Sequence, residues 1–210
     1  MKEKIGLNPW LSIWVSPRKT MRAITQDDVN YRFIVLCALY GFYNMLQSFQ
    51  SIAMGQTTSL LVILIAAVVL AIPAGYIIFN FSSFFTFMLG KLIKGKASFK
   101  QVRAATSWAS VPSIVMIVFW IYYIVAYGNG AFVPGYETKL VGMAATIMMV
   151  FGFAQLALGI WGLVIYLHAL GEVQGFSAWM ALLNLFLALL TIAVLFFLIG
   201  WGVSALIHAT

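Results

Sequence analysis

From Ser59 to Leu89 the chain carries no charged side chain. A helix of about 31 residues at 1.5 Å per residue is about 46 Å long, against a bilayer hydrocarbon core of about 30 Å. A soluble domain has no interior large enough to hide such a rod, so its solvent must be lipid. The excess length requires the helix to tilt, protrude or break, with Pro73 or the Asn80 to Ser83 stretch as the place for a break. The rest of the chain agrees. Charged residues make up 8% and hydrophobic ones 63%, where a soluble domain has about 25% charged.

Five runs are long enough to be read as spans, at about 33–54, 59–89, 110–127, 140–170 and 178–207. The first is the most interrupted, by Asn44, Gln47, Ser48 and Gln50. The predicted fold is an all-α integral membrane protein: a five-helix transmembrane bundle over 33–210, preceded by an amphipathic segment over 1–32. The first run begins only near Phe33, after a charged stretch containing Asp27 and Asp28, so no cleavable signal peptide is expected.

The charges are confined. Lys91, Lys94, Lys96, Lys100 and Arg103 fall in one connection, without an acidic neighbour. The segment before Phe33 has six basic and three acidic residues. The connection near Gly55 to Thr58 has none, and that near Gly128 to Lys139 has one of each sign. Basic flanks stay on the cytoplasmic side. With five spans the N-terminus is therefore expected in the cytoplasm and the C-terminus outside. The net charge of +7 is an orientation and anionic-lipid signal. A nucleic-acid surface would need a broad basic face.

Asn8-Pro9 and Ser16-Pro17 each place a capping residue before a proline at the first helical turn. Trp10 and Trp14 follow the first, and Arg18, Lys19 and Arg22 the second. Short helices on the cytoplasmic membrane surface are expected, with these residues at the headgroups. Ser98-Phe99-Lys100-Gln101 fits a capping box and predicts another short helix leading toward Pro112, between spans two and three.

The sequence has no P-loop, no H-E-x-x-H, no cysteine pair and no G-x-S-x-G. No catalytic residue, metal site or cofactor is expected. The candidate polar positions lie in or near the spans. Tyr40, Asn44, Gln47 and Ser51 share one face of span one. Such a face avoids lipid and turns to other helices or a wet cavity. Asn80, Gln155 and Asn184 suit either version. His168 and Glu172, four apart, share a face at the end of span four. A proton relay or metal site there competes with plain interhelical hydrogen bonding, and two side chains leave a metal site incomplete. Ala67, Ala71 and Gly75 form a small-residue stripe on span two that permits close helix approach, within the chain or between copies.

Three segments resemble one family. Asn8-Pro9-Trp10 followed by Ser16-Pro17-Arg18 is similar to the opening of bacterial Yip (Ypt-interacting protein) family members. Gly95 to Pro112, reading G-K-A-S-F-K-Q-V-R-A-A-T-S-W-A-S-V-P, resembles the central motif. Leu167 to Ser177, reading L-H-A-L-G-E-V-Q-G-F-S, resembles the late one. The resemblance implies a polytopic, non-enzymatic membrane protein, a scaffold or adaptor in membrane organisation or trafficking-type processes. The alternative is a transporter of a small molecule or lipid, using a polar path among spans one, four and five. Eukaryotic relatives bind small GTPases and one another. Only about 30 residues precede the first apolar run here, where those relatives carry a long polar region, so anionic lipids, further copies and other membrane proteins are the expected partners, ahead of a small GTPase.

Overall fold

The computed structural model describes residues 8–209, with side chains left out at Gly202 and from 205 on. Lys2, Lys4, Thr210 and the side chain of His208 lie outside that description. Helices α1 (Pro9–Val15) and α2 (Pro17–Asp27) form an N-terminal arm. Then come α3 (Phe33–Ser51), α4 (Leu60–Leu92), the short α5 (Phe99–Trp108), α6 (Val111–Tyr127), α7 (Met143–Gln174) and α8 (Ala178–Ala209). Short 3-10 turns at Met54–Gln56, Gly128–Phe132 and Tyr136–Lys139 gather at the end of the bundle away from the arm, here the loop end. No strand occurs among the described residues.

Four segments are long and apolar enough to cross a bilayer: Leu60–Leu92, Phe99–Phe132, Met143–Gln174 and Ala178–Trp201. Their apolar side chains remain largely exposed, as helices facing lipid require. The protein is therefore an integral membrane protein. Helix α3 is not among the four, because its amides and serines dilute a 19-residue helix.

Helix α4 is continuous through Pro73. Its polar stretch does not break it either. The Asn80 amide donates to Tyr76 O (2.7 Å) and Ser82 Oγ to Ile78 O (2.8 Å), so both groups are satisfied by the helix's own carbonyls. The extra length appears instead as a helix running on to Leu92.

Local signals explain the other boundaries. Trp10 N–H donates to Asn8 Oδ1 at 3.1 Å. The Ser98 capping box closes in both directions, with Ser98 N–H on Gln101 Oε1 (2.8 Å) and Gln101 N–H on Ser98 Oγ (3.4 Å). Ser16 departs from expectation. It occupies the cap position of α2 without a side-chain cap bond; Thr20 Oγ1 donates to its carbonyl at 2.9 Å instead. Gly175 ends α7 at φ +73°, a left-handed conformation that costs glycine little.

Helix α3 packs along α4 more extensively than any other pair. Two larger apolar cores result, beside a small one around Ala97, Val102, Leu170 and Ala181. One, at the arm end, joins Ile13, Met21 and Ile24 of the arm to Leu36, Cys37, Phe79, Trp108 and Ile165. The other, at the loop end, joins Leu46, Phe49 and Ile63 to Trp120, Tyr123 and Phe132. The arm thus buries its apolar face against protein. Trp10, expected at the headgroups, meets Trp108 edge-on at 5.3 Å.

Candidate functional site

The nine candidate polar residues do not form one cluster; the fold distributes them over four places. His168 and Glu172 lie where α2 crosses the end of α7. Arg22 Nε donates to Glu172 Oε1 at 2.7 Å, and Arg18 Nη1 lies 3.7 Å from Glu172 Oε2. The carboxylate raises the Arg22 pKa above its ordinary value, through the hydrogen bond first and the charge second. Arg18 Nε donates to His168 Nδ1 (3.3 Å) and Arg18 Nη2 to Phe176 O (3.2 Å). The pair read as a metal or relay candidate is thus committed to the arm's two arginines. Among the described residues no three potential ligands are grouped to hold a metal ion.

Glu172 is the better-buried partner, its side chain 15% exposed against 38% for Arg18 and 62% for Arg22. We predict that Glu172→Gln loosens the arm, because a neutral amide replaces a carboxylate facing two guanidinium groups. Cleavage by a soluble protease in the linker between α2 and α3 should become several-fold faster, and the difference should shrink at high salt. His168→Gln should leave cleavage near wild type, since its amide oxygen can still accept from Arg18. Equal cleavage of Glu172→Gln and wild type would refute this account of the arm.

Arg103, expected at the headgroups, turns inward instead. Its Nη1 donates to Asn80 Oδ1 (3.2 Å) and its Nη2 to Asn30 Oδ1 (2.8 Å). Its guanidinium lies 4.2 Å from the Phe33 ring centroid. It therefore ties α5 to α4 and to the turn before α3. Lys91 also folds back, donating to Gly95 O at 3.3 Å. Lys19, Lys94, Lys96 and Lys100 stay exposed on the same end of the molecule.

Asn184 is fully buried, beside Gln174. Gln174 Oε1 accepts from Ala97 N–H (3.3 Å) and Gln174 O from Lys96 N–H (3.0 Å), so α7 holds the α4–α5 connection. A Cβ at Gly90 would fall 2.1 Å from Gln174 Nε2 and 2.9 Å from Asn184 Nδ2. Gln174 and Gly90 were not singled out from the sequence. Only the third dimension brings 90, 174 and 184 to one point.

The span-one stripe is largely satisfied within α3. Asn44 Nδ2 donates to Tyr40 O (2.8 Å), Ser51 Oγ to Ser48 O (2.7 Å) and Gln47 Nε2 to the Tyr43 hydroxyl (3.1 Å). The Tyr40 ring stacks on Phe79 at 4.9 Å. Gln47 also lines a loop-end cavity of about 240 Å³, which Gln155 reaches from α7. Tyr43 and Gln50, absent from the predicted stripe, line it too. A second cavity, about 390 Å³, lies in the elbow between α1, α2 and α7. Trp14, Ser16, Arg18, Lys19, Trp161 and His168 line it.

The small-residue stripe of α4 is used inside the chain. Ala67, Ala71 and Gly75 are buried, and a Cβ at Gly75 would lie 2.1 Å from Cys37 O of α3. The reciprocal residue is Gly41, whose Cβ would lie 1.8 Å from Ala71 O. These distances mean backbone-to-backbone packing of α3 on α4.

No curated protein and no solved structure matches the chain significantly. The Yip1 domain family profile matches residues 11–201. The match takes in the arm's arginines, the capping-box helix, the α7–α8 turn and all four apolar segments, beginning just after Asn8-Pro9-Trp10. With nearly its whole length covered, the chain belongs to the Yip1 domain family.

Proposed function

We propose that this protein is a non-enzymatic membrane scaffold or adaptor that presents a rigid cytoplasmic platform. The observation that carries the reading is the arm: α2 fastened to α7 through Arg18, Arg22 and Glu172, its apolar face sunk in the bundle. That arrangement holds four exposed lysines, Lys19, Lys94, Lys96 and Lys100, in one fixed field. Such a field suits anionic headgroups and acidic surfaces of other membrane proteins. The elbow cavity, with Arg18 and Lys19 beside Trp14 and Trp161, fits an anionic lipid in the cytoplasmic leaflet.

In this reading α3 is a fifth span, its amides turned to α4, α6 and α7. The N-terminus is then cytoplasmic and the C-terminus external, in a bacterial inner membrane. We predict that topology reporters fused after Thr210 and within 128–139 both score as external, and a reporter at the N-terminus as cytoplasmic. A cytoplasmic signal at Thr210 would mean an even span count. The scaffold role is tested by comparing native-lipid nanodiscs of wild type and Glu172→Gln. Specific membrane proteins should accompany wild type and be depleted with the variant at equal yield. Identical companions in both would reject the platform.

A transport reading draws on the loop-end cavity. Between that cavity and the arm, Leu36, Cys37, Phe79, Trp108 and Ile165 pack as a buried apolar layer. Transport would require that layer to open. Loss of cellular function in His168→Gln, with an intact arm, would favour it over the scaffold.

A further inference from the structure

We propose that the loop-end cavity is a binding site for a small organic ammonium group. It lies between α3, α6 and α7 and is independent of the arm and of the scaffold reading. Five aromatic rings line it, from Tyr43, Phe119, Trp120, Tyr123 and Phe151. They are held by one another: Phe119 and Phe151 at 4.7 Å, Trp120 and Tyr123 at 6.0 Å, and Trp120 stacked on Phe132 at 5.5 Å. Trp120 and Tyr123 are 7% and 9% exposed, so their positions are set by the core before any ligand arrives.

Glu137 is the one ionisable acid or base among the lining side chains other than tyrosine; no lysine, arginine or histidine contributes. Its Oε2 accepts from the Tyr123 hydroxyl at 3.2 Å, and it has no ion-pair partner among the described residues. The amide donors are partly spent: Gln47 Nε2 on Tyr43 and Gln50 Nε2 on Ala131 O (3.1 Å). Their Oε1 atoms accept no protein hydrogen bond among the described residues. The cavity therefore offers a carboxylate, amide oxygens and aromatic faces, all electron-rich. An anion would meet repulsion, and a neutral apolar guest would strand the amides. A cation is matched by both kinds of wall, because ring quadrupoles and a carboxylate each attract positive charge, the buried Trp120 and Tyr123 from within and the exposed Glu137 from the rim. The volume of about 240 Å³ is below the usual range of about 300–1,000 Å³ for ligand pockets. That limits the guest to a headgroup-sized ammonium such as choline or ethanolamine.

Two sources supply this chemistry, a free amine at the loop-end surface and the headgroup of a phospholipid. Gly152 and Gln155 lie on an exposed flank of α7, which leaves a lateral entry. The full chain in nanodiscs of phosphatidylglycerol, which has no ammonium group, separates them. Calorimetric titration with choline, ethanolamine and tetramethylammonium tests the free amine. Retention of added phosphatidylethanolamine or phosphatidylcholine, read by native mass spectrometry, tests the lipid. We expect saturable binding in at least one arm and none of acetate. Glu137→Gln should weaken it about ten-fold, as loss of one charged partner would, and Phe119→Leu about three-fold or more. Both variants should keep the wild-type melting temperature. Binding of free amines assigns a soluble ligand; lipid retention without it assigns a headgroup. No binding in either arm, or equal binding by Glu137→Gln, overturns the proposal.

Discussion

Gly75→Leu is expected to abolish the folded bundle or to lower its melting temperature more than any lipid-facing change in α4. A Cβ at 75 would stand 2.1 Å from Cys37 O and 2.7 Å from Cys37 C, and a backbone cannot rotate aside as a side chain can. The only relief is separation of α3 from α4 along their whole contact, the largest in the molecule. Between membrane helices, lipid is as apolar as the protein, so close van der Waals packing does much of the work that hydrophobic burial does in water. Overpacking a tight core costs about 1–3 kcal/mol, and disrupting the principal helix pair should reach or exceed the top of that range. Gly41→Leu should be as severe, because its Cβ would meet Ala71 O at 1.8 Å. Gly75→Ala carries the same Cβ and should already lower the melting temperature, with the larger leucine adding to the loss. Val68→Leu, at a position 63% exposed, is the control and should be silent. Unfolding in detergent, followed by heat or by denaturing-detergent titration, gives the ranking. A wild-type transition for Gly75→Leu would mean that α3 does not pack there.

Trp108→Ala is expected to detach the N-terminal arm as well as destabilise the bundle. Trp108 is 1% exposed at the end of α5. Trp10 packs against it edge-on at 5.3 Å, and Tyr31 stacks on it at 6.1 Å with planes 7° apart. One ring therefore receives α1, the turn before α3 and the bundle core together. Removing a buried tryptophan costs about 3–5 kcal/mol through lost transfer energy and the cavity left behind. Each aromatic pair adds about 0.5–1.5 kcal/mol. The variant should melt well below wild type and be cleaved in the 28–32 linker even where the bundle stays folded. Trp108→Phe should fall between. Trp179→Ala, at a position 80% exposed, should change neither measurement. An arm that stays protected in Trp108→Ala would show that Arg18, Arg22 and Glu172 hold it unaided.

These two sites differ in how far they could be read in one dimension. The small-residue stripe Ala67, Ala71 and Gly75 is visible as a four-residue period. Its use within the chain required Gly41, which has no matching stripe to announce it. Trp108 sits in the G-K-A-S-F-K-Q-V-R-A-A-T-S-W segment that carries the family resemblance, but nothing local says that Trp10 will meet it. The basic connection shows the same division. Five positive charges mark one side of the membrane, yet Arg103 is half-buried against Asn80 and Asn30, while all four lysines stay exposed, Lys91 among them although it donates to Gly95 O.

Features governed by neighbours in sequence were thus legible from the residues alone. They include the apolar lengths of α4, α6, α7 and α8, the Asn8 and Ser98 caps, the end carrying the positive charge, and the family itself. Each rests on interactions spanning no more than one helical turn, or on a composition that only lipid tolerates. A helical period says which side chains share a face; it does not say which helix that face will meet. The partners of Glu172 and Arg103, and the burial of Asn184 beside Gln174, were settled by packing between segments some 150 residues apart in the case of Arg22 and Glu172. In a chain with so few polar groups among long apolar helices, those pairings depend on the positions of several helices at once.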